Sequence, residues 1–127
     1  MKKHTLKKQE RLKSRKVIEK LFAEGNTFTI NPYRIFWLPL EEQDVPLKFA
    51  IGVPKKRFKN AVDRNLLKRR SREAYRTQKC ELEDSLQLNN MKISVFLVYI
   101  NDAVVEYPVI HEQVQKIIHK LITSLNL

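Results

Sequence analysis

Apolar and polar positions recur along this chain with two different periods, and each change of period marks an element. Leu12, Val17, Ile18, Leu21 and Phe22 recur at helical spacing. They predict a short helix with Ser14 as a candidate N-cap and Gly25 as its C′ residue. From Thr27 to Leu40 the residues are mostly aromatic and β-branched, which is strand chemistry. Asn31-Pro32 interrupts this stretch before the strand proper. At a period of two, Arg34, Phe36 and Leu38 share one face, and Tyr33, Ile35 and Trp37 share the other. Both faces are apolar enough to need cover, and Tyr33 and Trp37 read as core. Glu41 to Pro46 is an acidic turn. Lys48 to Val53 is the next strand, with Phe49, Ile51 and Val53 on one side. Ala50 and Gly52 on its other side leave room for a backbone or helix to approach closely. A hairpin between these two strands is the economical reading.

A helix follows, with Asn60 as its N-cap, and is expected to run to about Cys80 or beyond before the polar stretch Gln87 to Asn90. Lys92 to Ile100 is an apolar run rich in β-branched residues and reads as a central strand. Asn101-Asp102 turns the chain, and Pro108 suits the first turn of a last helix. Val114, Ile117, Ile118, Leu121, Ile122 and Leu125 give that helix one apolar face. The predicted order is helix, strand, strand, helix, strand, helix. This is an α+β sandwich in a single domain over 1–127, with 1–10 expected to be flexible and no internal repeat. The strand, helix, strand segment must form a crossover; patterning leaves its hand open, the general rule being right-handed for parallel strands.

Charge narrows this picture. The chain of 127 residues has a net charge of +11 and a pI near 9.9. The excess is localised. Residues 1–20 hold nine Lys or Arg and two acids, and residues 55–76 hold ten and two. The remainder holds six bases and ten acids, like an ordinary acidic soluble protein. Two basic blocks on such a body point to a nucleic acid or another polyanion. No run approaches the roughly 18 apolar residues of a membrane span. The lysines after Met1 lack the apolar stretch of a secretory signal. Cys80 is the single cysteine, so it predicts neither an internal disulfide nor a zinc site, and a reducing, cytoplasmic setting fits. His4, His111 and His119 are too scattered to suggest a metal site.

The second basic block carries the chemistry. At about 100° per residue, Arg64, Asn65, Lys68, Arg69, Arg72 and Arg76 fall within one arc of roughly 140°, outside which lie Asp63 and Glu73. Like charges along one helix face destabilise it unless an anion lies against it. Lys55, Lys56, Arg57 and Lys59 extend the basic surface into the preceding loop. Arginines can grip phosphate through two N–H groups, and Asn65 can read a sugar or base edge. Unpaired bases need flat surfaces as well. Phe22 and Phe36, with Arg34 beside them, could supply one wall of a groove, although core packing is the competing reading for each aromatic. The acids are dispersed, whereas two-metal hydrolysis needs them clustered. No Ser-His-Asp set, His-Glu-x-x-His motif or phosphate-binding glycine loop is present. These residues therefore predict no catalytic and no metal-ligating side chains.

The order Ala61-Val62-x-Arg64-Asn65-x-x-Lys68-Arg69-x-x-Arg72-Glu73-x-x-Arg76 resembles the RNR signature of the bacterial ribonuclease P protein component. The resemblance implies an α/β sandwich with a left-handed β-α-β crossover. It also implies a ribonucleoprotein endonuclease that removes the 5′ leader of precursor tRNA. In that family the catalytic RNA holds the Mg2+ ions. The basic helix meets the ribonuclease P RNA, a cleft contacts the leader, and no protein partner is required. Phe22 and Phe36 stand where the family places cleft aromatics, and Ile18 stands where an aromatic is common. The reading from charge alone, a non-catalytic basic RNA-binding protein of the ribosomal or assembly-factor type, needs no particular role for Arg64-Asn65.

Overall fold

The computed structural model describes residues 10–40 and 43–125. Apart from Glu10, the stretch expected to be flexible lies outside these, as do Glu41 and Glu42 of the acidic turn. Helix α1 spans Arg15–Glu24, strands β1, β2 and β3 span Asn26–Ile30, Tyr33–Pro39 and Leu47–Gly52, and helices α2 and α3 span Ala61–Arg76 and Cys80–Leu88. Strand β4, Ile93–Tyr99, and helix α4, Tyr107–Ser124, complete the chain. The α+β expectation holds, with one strand and one helix more than the pattern suggested.

The extra strand is β1. The break at Asn31-Pro32 is a two-residue turn with a cis peptide bond, and the residues before it pair antiparallel with β2, from Asn26 opposite Trp37 to Ile30 opposite Tyr33. The hairpin expected between β2 and β3 does not form. The sheet order is β1-β2-β4-β3, with β4 antiparallel to β2 and parallel to β3. The physical reason lies in β4. Ile93, Ser94, Val95, Leu97 and Tyr99 are all buried. A strand that apolar is most stable with a partner on each side, so it inserts between two strands that are closer in sequence. Gln43 fastens the connection across the end of β4. Its amide donates to Val45 O (2.9 Å) and Ile93 O (2.7 Å), and its carbonyl oxygen accepts from Ser94 Oγ (2.8 Å).

The basic helix is also shorter than expected. It starts as predicted, with Asn60 Oδ1 accepting from the Val62 amide at 2.9 Å, but it ends at Arg76. No Gly or Pro marks the break. Polar side chains take the last carbonyls instead. Thr77 Oγ1 donates to Glu73 O and Ala74 O, and Gln78 Nε2 donates to Ala74 O and His111 O. At the end of α1, Gly25 is extended, with φ −67° and ψ 155°, and is not left-handed. A Cβ there would collide with the Leu21 carbonyl, so close approach is what requires glycine.

The sheet has helices on both faces. Tyr33, Ile35 and Trp37 of β2 join Leu47, Phe49 and Ile51 of β3, the buried residues of β4, Leu67 and Tyr75 of α2, and the apolar face of α4 in one core. Tyr75 stacks on Phe49 with centroids 3.8 Å apart. The Tyr33 hydroxyl hydrogen-bonds Ser71 Oγ at 2.5 Å, tying β2 to α2. Burial pushes that phenol far above its ordinary range. The other face carries Arg34 and Phe36 of β2, Phe96 of β4, and Ala50 and Gly52 of β3. Here α1 packs through Phe22, whose ring meets Phe36 at 4.8 Å and Phe96 at 5.1 Å, both edge-on. The space beside Gly52 goes to an aromatic ring, since a Cβ would lie 3.1 Å from Phe96.

Candidate nucleic-acid interface

Helix α2 sorts its basic residues by what the protein gives them. Arg70 lies off the arc and donates to Val105 O at 2.8 Å, so its role is internal. Arg64 donates to the carbonyls of Phe58 (2.7 Å) and Lys59 (3.0 Å), bracing the loop ahead of the helix. Arg76 binds Glu73 through two nitrogens, at 3.0 and 2.5 Å. That contact pulls the Glu73 carboxyl below its ordinary value. Arg57 pairs with Asp102 at 2.8 Å. The side chains of Lys55, Lys56, Lys59, Lys68, Arg69 and Arg72 make no hydrogen bond or ion pair among the described residues, and Asn65 is exposed. The ten predicted positions therefore divide into six uncommitted cations, three arginines partly engaged by the protein, and one exposed amide. An engaged arginine keeps further donors, because a guanidinium has five.

The second part of the site lies on the α1 side of the sheet. A cleft of about 350 Å³ is lined by Arg11, Lys13, Ile18, Ala50, Phe96 and Arg72, among others. Phe22 is 48% exposed although its ring touches two others, so it presents a face to solvent beside the cleft. Arg34 lies over the Phe36 ring, 5.5 Å from its centroid, and its Nε donates to Thr27 Oγ1 at 3.3 Å. The structure thus brings Phe22, Arg34 and Phe36 together, and it leaves Tyr33 and Trp37 in the core. Arg72 belongs to both parts, as a member of the basic helix and of the cleft wall.

Three cleft residues are missing from the sequence reading. Phe96 shares a face with Phe36 only through the β2–β4 register, which pairs the two directly. Arg11 and Lys13 flank buried Leu12 in an alternating triplet, the local mark of an extended segment. Arg11 bridges Phe49 in parallel, and the Leu12 amide donates to Phe49 O at 2.9 Å, so this segment covers the outer edge of β3. Among the described residues, no group of three or more His, Cys, Asp or Glu could hold a metal ion. Nor is any of their helices long and apolar enough to cross a membrane.

Residues 6–122 match the protein family described as Ribonuclease P. The chain belongs to the ribonuclease P protein family. It is 35% identical over 112 residues to the ribonuclease P protein component of Porphyromonas gingivalis, covering 87% of this chain and 82% of that one. Its fold is that of the Staphylococcus aureus RNase P protein, with a TM-score of 0.70 at 18% identity over 88% of this chain and 94% of that one. The RNase P protein from Thermotoga maritima gives a TM-score of 0.68 at 19% identity over 87% and 96%. Membership of the ribonuclease P family assigns this chain to RNA binding and tRNA processing, as part of a ribonucleoprotein enzyme.

Proposed function

We propose that this chain is the protein subunit of ribonuclease P, which holds the catalytic RNA and the 5′ leader of precursor tRNA while the RNA cleaves between leader and mature 5′ end. The observation that carries this reading is the position of Arg72. One residue joins a helix face of uncommitted cations to a cleft flanked by the rings of Phe22, Phe36 and Phe96. A structured RNA presents closely spaced phosphates, which suit Lys68, Arg69 and Arg72 together with Lys55, Lys56 and Lys59. A single-stranded leader presents bases as well as phosphates, which suits aromatic rings beside a cationic rim.

Each group has a physical task. The uncommitted cations of α2 lower the repulsion between catalytic RNA and substrate. Asn65 contributes an acceptor and two donors for a sugar or base edge. Phe22, Phe36 and Arg34 hold leader nucleotides by stacking and charge. Magnesium does not fit this chain's described residues, because their acids are dispersed and Glu73 is engaged by Arg76. The Mg2+ ions are assigned mainly to the RNA subunit.

Cleavage of a precursor tRNA by a bacterial ribonuclease P RNA, measured at low magnesium with and without the chain, tests the proposal. Strong stimulation is expected. Absence of stimulation would refute it. Stimulation that survives Asn65→Ala and follows total charge alone would favour a general basic RNA-binding protein.

A further inference from the structure

Lys79 lies in the turn between α2 and α3, and its side chain is only 3% exposed. Its Nζ is 2.5 Å from Glu10 Oε2 and 3.9 Å from Glu83 Oε1. Glu10 is likewise nearly buried, with 11% of its side chain exposed. Desolvating a charge costs several kcal/mol per ion, so a buried pair is a poor way to gain stability, and its best-attested use is to fix one register. Register matters here. Leu12 is 5% exposed and the cations on either side of it point outward. A slip of one residue along β3 would exchange Leu12 for a cation and empty the cleft wall. Phe49, which receives Leu12, is stacked on Tyr75 of α2, so the segment, β3 and the basic helix meet at one point.

We infer that the Glu10–Lys79 ion pair is a positioning device for RNA binding. It fixes the register of the segment before α1 on the edge of β3, so that Arg11 and Lys13 complete the cleft that Arg72 borders. Glu10 and Lys79 act through these cations and touch no RNA themselves. The inference rests on the reading of the cleft as the leader site.

Glu10→Gln is the informative variant, because Glu83 remains beside Lys79 and the buried ammonium keeps a partner. With the full chain and a bacterial ribonuclease P RNA, a three- to ten-fold loss of affinity for leader-bearing precursor is expected. Affinity for leaderless tRNA and kcat should stay at the wild-type level. Glu10→Asp should recover part of the loss. Glu10→Gln combined with Arg11→Ala and Lys13→Ala should lose no more than Arg11→Ala with Lys13→Ala, because the first acts through these two cations. Wild-type leader affinity in Glu10→Gln, or a further loss when Glu10→Gln is added to the variant lacking both cations, would overturn the inference. Should Glu10→Gln fail to fold, the neutral pair Glu10→Leu with Lys79→Met carries the same comparisons. Hydrogen exchange at the Leu12 amide separates the two levels of the argument. If the wild-type complex does not distinguish leader-bearing from leaderless tRNA, the leader reading fails. Faster exchange at Leu12 in Glu10→Gln would still support the fastening, and unchanged exchange would reject it.

Discussion

Identical side chains on α2 do different work, and this gives the sharpest tests. Arg70 and Arg72 carry the same charge two residues apart. Arg70 is held by Val105 O, whereas Arg72 is uncommitted at the cleft. Arg72→Ala should weaken RNA binding and flatten the log–log salt slope by about 0.7–0.9 units, the loss of one phosphate contact. Arg70→Ala should leave that slope nearly unchanged and instead lower folding stability by about 1 kcal/mol, the usual worth of one hydrogen bond. Urea unfolding and a salt titration on both variants separate the two outcomes. Equal slope losses would contradict the assignment. Glu73 offers the reverse experiment. Its carboxyl is held below its ordinary value by Arg76, so it is ionised at neutral pH and keeps that arginine engaged. Glu73→Gln removes an anion and releases a cation, so RNA affinity should rise and the salt slope should steepen. A lower affinity would show that the pair itself is part of the binding surface.

The elements show which structural signals are local. Asn60, Ser14 and Pro108 act within a few residues of their own positions, and each marks its helix start as expected. Asn60→Ala should cost about 1 kcal/mol through loss of the cap, measurable in thermal or urea unfolding. Gly25→Ala should be more damaging, about 1–3 kcal/mol for forced overpacking, because the clash is with backbone that cannot rotate away. A silent Gly25→Ala would mean that the end of α1 relaxes at little cost. The central position of β4 was legible too, since an unbroken apolar run needs cover on both faces. The pairing of β2 with β4 was not, because it joins residues about sixty positions apart. The end of α2 was hidden for a related reason. Thr77 and Gln78 stop the helix by taking carbonyls, one of them on α4, and neither residue type breaks a helix by itself. The candidate site divides along the same line. The cations of α2 share one helix face and could be read from spacing, whereas Phe96, Arg11 and Lys13 reach the cleft only through pairings between distant strands.

For the molecule as a whole, the same charges act on RNA affinity and on stability with opposite signs. Lys68 and Arg72 are four apart on one helix, Arg64 and Lys68 likewise, and Arg69 and Arg72 are three apart. Each such like-charge pair opposes folding by about 0.2–0.5 kcal/mol at low salt, and the side chains of Lys68, Arg69 and Arg72 make no ion pair among the described residues. Added salt screens this repulsion. The free protein should therefore melt higher as salt is raised from low to moderate concentration, over the same range in which RNA affinity falls. Replacing Lys68, Arg69 and Arg72 together by Gln should stabilise the free protein by about 1 kcal/mol at low salt, remove most of its salt-dependent gain in Tm, and abolish tight RNA binding. Melting curves and RNA titrations on the two proteins, each at two salt concentrations, decide the matter. A triple variant that melts lower than the parent at low salt would show that these side chains stabilise the free fold, and the face would then not be strained in wait for an anion. The expected result places the cost of binding inside the free protein. Repulsion held by the α/β scaffold is relieved when phosphate arrives, so the contact that recruits the RNA also stabilises the helix that makes it.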